Sequence, residues 1–128
     1  MFTSVVTKPI DFIDELSELI KNPPAGSIVM EIDPPMAEIM LTYNTKNRPA
    51  SRSAVSKYSK EMQKGAWIHT GLPITFSDAG ILIDGQQRLF ACIRSGITIT
   101  SDVRFGIPND AFTKIDIGAN RLASHIFA

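Results

Sequence analysis

The sequence predicts an α+β domain, a small mixed β-sheet surrounded by helices, and three observations carry that prediction. Segments with apolar residues at helical spacing alternate with short apolar runs of strand length. The turn-forming Ser77-Asp78-Ala79-Gly80 separates Ile74-Thr75-Phe76 from Ile81-Leu82-Ile83, the pattern of a β-hairpin. The 128 residues, 44% of them apolar and 20% charged, suffice for one domain with a buried core.

The first element is an amphipathic helix from Asp11 to Ile20. Phe12, Ile13, Leu16, Leu19 and Ile20 recur at helical spacing, the outer face is acidic, and Asn22-Pro23-Pro24 stops the run. Ile28 to Ile32 is strand-like. Asp33 is placed to cap a second helix, with Pro34 and Pro35 in its first turn and Met36, Ile39, Met40 and Tyr43 as its stripe. After the polar loop Asn44 to Pro49, a third helix runs from about Ser53 to Lys64, with Val55, Tyr58 and Met62 inward and Gly65 as its stop. The hairpin follows, then a helix from Gln86 to Ser95 closed by Gly96, then a strand over Ile97 to Phe105. Two short helices are expected, over Pro108–Ile115 and Asn120–Phe127. Trp67, Tyr58 and the phenylalanines are expected in the core.

Several function classes are disfavoured at once. No apolar run approaches the roughly 20 residues of a bilayer span, and Met1 to Val6 lack the basic start of a signal peptide. A soluble, cytoplasmic domain is therefore expected. Cys92 is the single cysteine, so it makes no internal disulfide and no cysteine cluster, and it is expected to be a packed core thiol. His69 and His125 have no partner at metal-ligand spacing, and no GxSxG, HExxH or Walker box is present.

The formal net charge is zero, with 13 cations against 13 anions, but the charges are segregated. Residues 1–45 hold two lysines against seven carboxylates, a net −5. Residues 46–64 hold Lys46, Arg48, Arg52, Lys57, Lys60 and Lys64 against Glu61, a net +5. Such asymmetry points to a polyanion-facing surface. Lys57, Lys60 and Lys64 share one face of the third helix and are candidate DNA-backbone contacts, the alternative being a solvated helix face.

The stretch with most chemistry is Ile81 to Gly96. An apolar strand ends in Asp84-Gly85 and passes directly into a helix whose first turn holds Gln86, Gln87 and Arg88. Free backbone N–H groups at a helix start attract anions, and Gly85 lets a phosphate come close to the backbone. Arg88 supplies a fork matched to phosphate oxygens. Asp84 repels phosphate unless a divalent cation or a sugar hydroxyl lies between them, which makes it the candidate Mg²⁺ or ribose contact. The plainer alternative has Asp84 capping the helix, Gly85 making the turn and Arg88 on the surface.

Asp84-Gly85-Gln86-Gln87-Arg88, with its preceding strand and following helix, resembles the core motif of the ParB/sulfiredoxin-like superfamily. Asn47-Arg48-Pro49, the helix end Met62 to Trp67, and Gly71-Leu72-Pro73-Ile74 resemble the lead-in of small phage and bacterial members. Phe112 to Arg121 resembles their later F-x-x-I-D-x-G-x-x-R element. The likeness covers roughly residues 44–126, so residues 1–43 stand as an N-terminal extension to a motif-bearing core at 44–128, all within one domain.

The resemblance implies a ParB/sulfiredoxin-like fold. It also implies a nucleotide- or phosphate-binding domain with a DNA-linked role, a weak NTPase or a nuclease accessory. In ParB-type proteins a G-E-R-R box binds the phosphates of a nucleoside triphosphate, CTP in the chromosome-segregation members. Gly85 and Arg88 match that box, whereas Gln86 and Gln87 depart from it. The implied cofactor is therefore CTP or ATP with Mg²⁺, held by Gly85, Gln86, Gln87 and Arg88, with Asp84 and Arg88 in the catalytic role. Arg48 in its polar loop is a further candidate phosphate contact, and so is Arg121, which with Asp116 flanks Gly118; the alternative for that pair is a helix-capping aspartate with an exposed arginine. Sulfiredoxins carry cysteine where Gln86 stands, so their chemistry is not expected. The alternative function is a non-catalytic phage or mobile-element accessory protein that binds DNA or a host protein. The acidic first helix is a candidate homodimer contact, the alternative being a solvated face.

Overall fold

A computed structural model describes residues 9–67 and 72–108. Among them the chain forms α1 (Pro9–Lys21), β1 (Ser27–Ile32), α2 (Pro34–Leu41), α3 (Arg52–Gln63), β2 (Ile74–Ser77), β3 (Leu82–Asp84), α4 (Gln86–Ser95) and β4 (Ile99–Ile107). The fold is α+β, with a mixed sheet in the order β1-β4-β2-β3. β4 runs antiparallel to β1 and parallel to β2, and β2 pairs antiparallel with β3. The two short helices expected after Pro108, and with them Asp116, Arg121 and His125, lie outside the described residues, as does His69.

Each element forms for a local reason. Asp33 caps α2, its Oδ1 accepting from the Met36 N–H at 2.9 Å, with proline in the first turn where no intrahelical donor is lost. Ser51 caps α3 through its hydroxyl, which accepts from the Ala54 N–H at 3.2 Å. Gly96 closes α4 in the left-handed conformation, φ +74°, returning its N–H to the Cys92 carbonyl. In the hairpin, the Ser77 hydroxyl accepts from both Ala79 and Ile81 N–H groups, at 3.2 and 3.1 Å, which folds the turn back on itself.

One sheet face and the helices close over a single core. Met30 and Ile32 of β1, Ile99, Val103 and Phe105 of β4, Ile74 and Phe76 of β2, and Leu82 of β3 are buried there with Phe12 and Leu16 of α1 and Leu89 and Cys92 of α4. Phe76 stacks on Phe105 with ring centroids 5.2 Å apart, and Tyr43 meets Phe76 edge-on. Trp67 packs edge-on against Tyr58, as expected of core aromatics. Phe90 departs from that expectation, standing 38% exposed on the outer side of α4. Helix-to-helix packing runs α1 on α2, α2 on α4 and α4 on α3, so α1 and α3 end the row.

Candidate functional site

The strand-to-helix junction at Asp84-Gly85 is shaped by one steric fact. Gly85 has φ +109°, and a Cβ there would lie 2.8 Å from the Ile74 side chain of β2. No other residue fits both conditions. The glycine is therefore demanded by close packing of the junction on β2. Gly85 is also the N-cap of α4, and among the described residues no side-chain cap of the helix is formed. The alternative in which Asp84 caps it is thereby set aside. The first-turn N–H groups of α4 have no intrahelical partner, so they face whatever lies before the helix start.

The side chains of the box are engaged internally. The Gln86 Nε2 donates to the Arg48 carbonyl at 2.9 Å. The Gln87 Oε1 accepts from the Ser51 N–H at 2.6 Å. In a capping box the third helical residue reaches back to the N-cap N–H, but in α3 that residue is Ala54, which has no polar side chain. Gln87 of α4 completes the cap from a neighbouring helix instead. Arg88 donates to the carbonyls of Leu72 (2.7 Å) and Pro73 (3.2 Å), which anchors the approach to β2. Burial lowers the Arg88 pKa, and the nearby Asp84 carboxylate and Tyr58 oppose that shift.

The 44–51 loop is thus tied down along its length. Asn47 Nδ2 donates to the Leu82 carbonyl of β3 at 2.7 Å and to Asn44 Oδ1 at 2.6 Å. Asn47 therefore holds the loop to the sheet, while its neighbour Arg48 leaves its side chain exposed beside the box. Asp84 is exposed as well. The expected grouping of Arg48 with Gln86 and Gln87 is thus present, through the backbone carbonyl of Arg48 and the N–H of Ser51. Arg121 lies outside the described residues.

Strand pairing adds neighbours that residue-by-residue reading misses. Ser27 pairs with Arg104, Arg104 with Thr75, and Thr75 with Asp84, so these four form one row across β1, β4, β2 and β3. None of the four is buried, and they lie on the face opposite the core. An irregularity in the β2–β3 register between Thr75 and Phe76 brings Asp84 opposite Thr75. The alternation of Ile99, Ser101, Val103 and Phe105 inward foretells that Arg104 points outward. Its place two strands from Asp84 follows only from the sheet order.

Lys57, Lys60 and Lys64 are all exposed on the outer side of α3. Cys92 is buried, its thiol directed at the carbonyls of Ile32 (3.4 Å) and Ile97 (3.2 Å). Burial and the Asp33 carboxylate push its pKa up to about 12, so it is no nucleophile in the folded state. Among the described residues no group of three or more His, Cys, Asp or Glu side chains could hold a metal ion. Asp84 alone fits Mg²⁺ only in the mode where nucleotide phosphates and water supply most ligands. No helix of the described residues is long and apolar enough to cross a membrane. Comparison with protein-family models, with curated proteins and with solved structures finds no significant match.

Proposed function

We propose that the chain is a nucleotide- or phosphate-binding domain of the ParB/sulfiredoxin-like type, acting in a DNA-linked process in the cytoplasm. The observation that carries this reading is the start of α4. An uncapped helix N-terminus follows a strand end, with exposed Arg48 and Asp84 beside it and Arg104 along the same open sheet face. Backbone N–H groups and the Arg48 guanidinium favour an oxyanion there, and Asp84 suits a ribose hydroxyl or a phosphate-bound Mg²⁺. Mg²⁺, when bound with a nucleoside triphosphate, neutralises phosphate charge.

The geometry gives the box residues distinct tasks. Gln86, Gln87 and Arg88 position the 48–51 loop and the approach to β2, and thereby fix where Arg48 stands relative to the helix start. Arg48 and the first-turn N–H groups are the contacts to phosphate. With Asp84 as the one carboxylate of the box, gated binding is favoured over rapid hydrolysis.

Calorimetry against CTP and ATP with Mg²⁺, comparing wild type with Arg48→Ala and Asp84→Asn, tests this. Saturable binding that weakens at least tenfold in Arg48→Ala is expected, because that exposed side chain supplies the guanidinium contact to phosphate. Absence of heat with every nucleotide overturns the reading. Phosphate release alongside binding separates a weak NTPase from a non-catalytic module.

The exposed Lys57, Lys60 and Lys64 favour a second reading, an accessory protein that contacts DNA backbone through α3. A gel shift across a salt series tests it, since phosphate contacts make affinity fall steeply with salt.

A further inference from the structure

Between α3 and α4 lies a groove of about 320 Å³, lined by Ala50, Arg52, Val55, Phe90, Ile93 and Arg94. Its floor is apolar, and Arg52 and Arg94 stand exposed at its rim. Among the described residues, Phe90, 38% exposed, is the aromatic that the core does not take in. Lys57 and Lys60 continue the positive charge along α3. An occupant with an apolar side chain flanked by carboxylates matches this surface.

One segment of this chain has that chemistry. On α1, Ile13 is 47% exposed, and Asp11, Asp14 and Glu18 are exposed around it. Asp14 and Glu18, four residues apart, project from one side of the helix, with Ile13 on its flank. A chain cannot fill its own groove with α1, because α1 and α3 stand at opposite ends of the helix row, with α2 and α4 between them. A second chain can. We propose that the α3–α4 groove receives the α1 helix of a second copy, Ile13 entering against Phe90 and Ile93 while Asp14 and Glu18 meet Arg52 and Arg94. The contact joins unlike surfaces, so it forms a ring or a continuing chain of copies. It uses none of the residues assigned to phosphate and stands apart from the nucleotide reading.

Sedimentation of the full chain at rising concentration tests the proposal. The weight-average mass is expected to climb above the monomer value of 14.0 kDa. The rise should shrink between about 0.1 M and about 1 M salt, where the screening length falls from about 10 Å to about 3 Å. Arg52→Glu/Arg94→Glu and Asp14→Lys/Glu18→Lys should each remain monomeric alone. Mixing the two should restore association, because each variant's α1 then meets a groove of opposite charge. A wild type that stays monomeric throughout overturns the proposal. So does association undiminished in either variant, or a mixture that fails to regain it. Circular dichroism of each variant excludes unfolding as the cause of a lost contact.

Discussion

Two cationic regions of this molecule are built in opposite ways. At the start of α4, the Arg88 guanidinium is largely enclosed and held by two backbone carbonyls, and the Gln86 and Gln87 side chains are held by the neighbouring loop. On α3, Lys57, Lys60 and Lys64 stand in solvent. The sequence offers both as candidate phosphate contacts. Their physics differs because a guanidinium taken out of water needs replacement hydrogen bonds, whereas a solvated ammonium needs none. The enclosed group therefore governs stability and the placement of its neighbours. The solvated groups govern only what the surface attracts.

Substitutions can break that contrast at its strong end first. Gly85→Ala is expected to cost about 3 kcal/mol, from a left-handed backbone and a Cβ driven into Ile74. Thermal denaturation measures it, and Ile74→Ala in the same chain should relieve the steric part but not the backbone part. Arg88→Ala comes next, at about 2 kcal/mol, since two carbonyls lose charge-assisted donors. Nucleotide binding lost in Arg88→Ala while Arg48→Ala binds normally would place the phosphate contact on Arg88 itself and sharpen the division differently. Gln87→Ala should cost about 1 kcal/mol, the worth of a helix cap, with protection against hydrogen exchange lost first in α3.

The open region should respond in the reverse sense. Replacing Lys57, Lys60 and Lys64 by alanine is expected to move stability by no more than about 0.5 kcal/mol. If α3 meets DNA, the same triple change should lower the salt slope of binding by about 2 to 3. A stability loss as large as that of Arg88→Ala would erase the contrast.

Glu15 gives the smallest effect and the clearest pH signature. Its Oε2 is shielded from water without a hydrogen-bond partner, and burial raises its pKa above the ordinary 4.5. Ionising it therefore costs stability as pH rises through the raised value, and the cost is relieved as pH falls. Glu15→Gln should melt slightly higher than wild type near pH 7, with the difference vanishing once pH drops below 4.5. A difference independent of pH would refute the assignment.

Much of the fold was legible because its signals are local. The Asp33 cap with two prolines, the Gly96 stop and the apolar stripes of α1 and α3 each act within a turn or two of chain, and the helices form where those signals stand. The strand after α4 was expected from Ile97 and begins at Ile99, since its partner β1 ends at Ile32, opposite Ile99, where the chain turns into α2. The site was legible only in composition. That Gly85 answers to Ile74, that Gln87 finishes the cap of α3, and that Arg104 aligns with Asp84 all depend on pairings between segments far apart in sequence. Periodicity carries no record of such pairings. Phe90 shows the converse limit, because hydrophobicity alone assigns it to the interior and the helix row leaves it outside.

The buried Cys92 has a practical consequence for the experiments above. It is the only thiol in the chain, and in the folded protein it is sealed and protonated. A cysteine introduced at Lys60 or Ile13 would thus be the sole target of a thiol-reactive dye under native conditions, placing a fluorophore on either partner of the groove contact without background. Left unmodified, Cys92 serves as a clock: the rate at which it takes up such a reagent times the opening of the β4–α4 core.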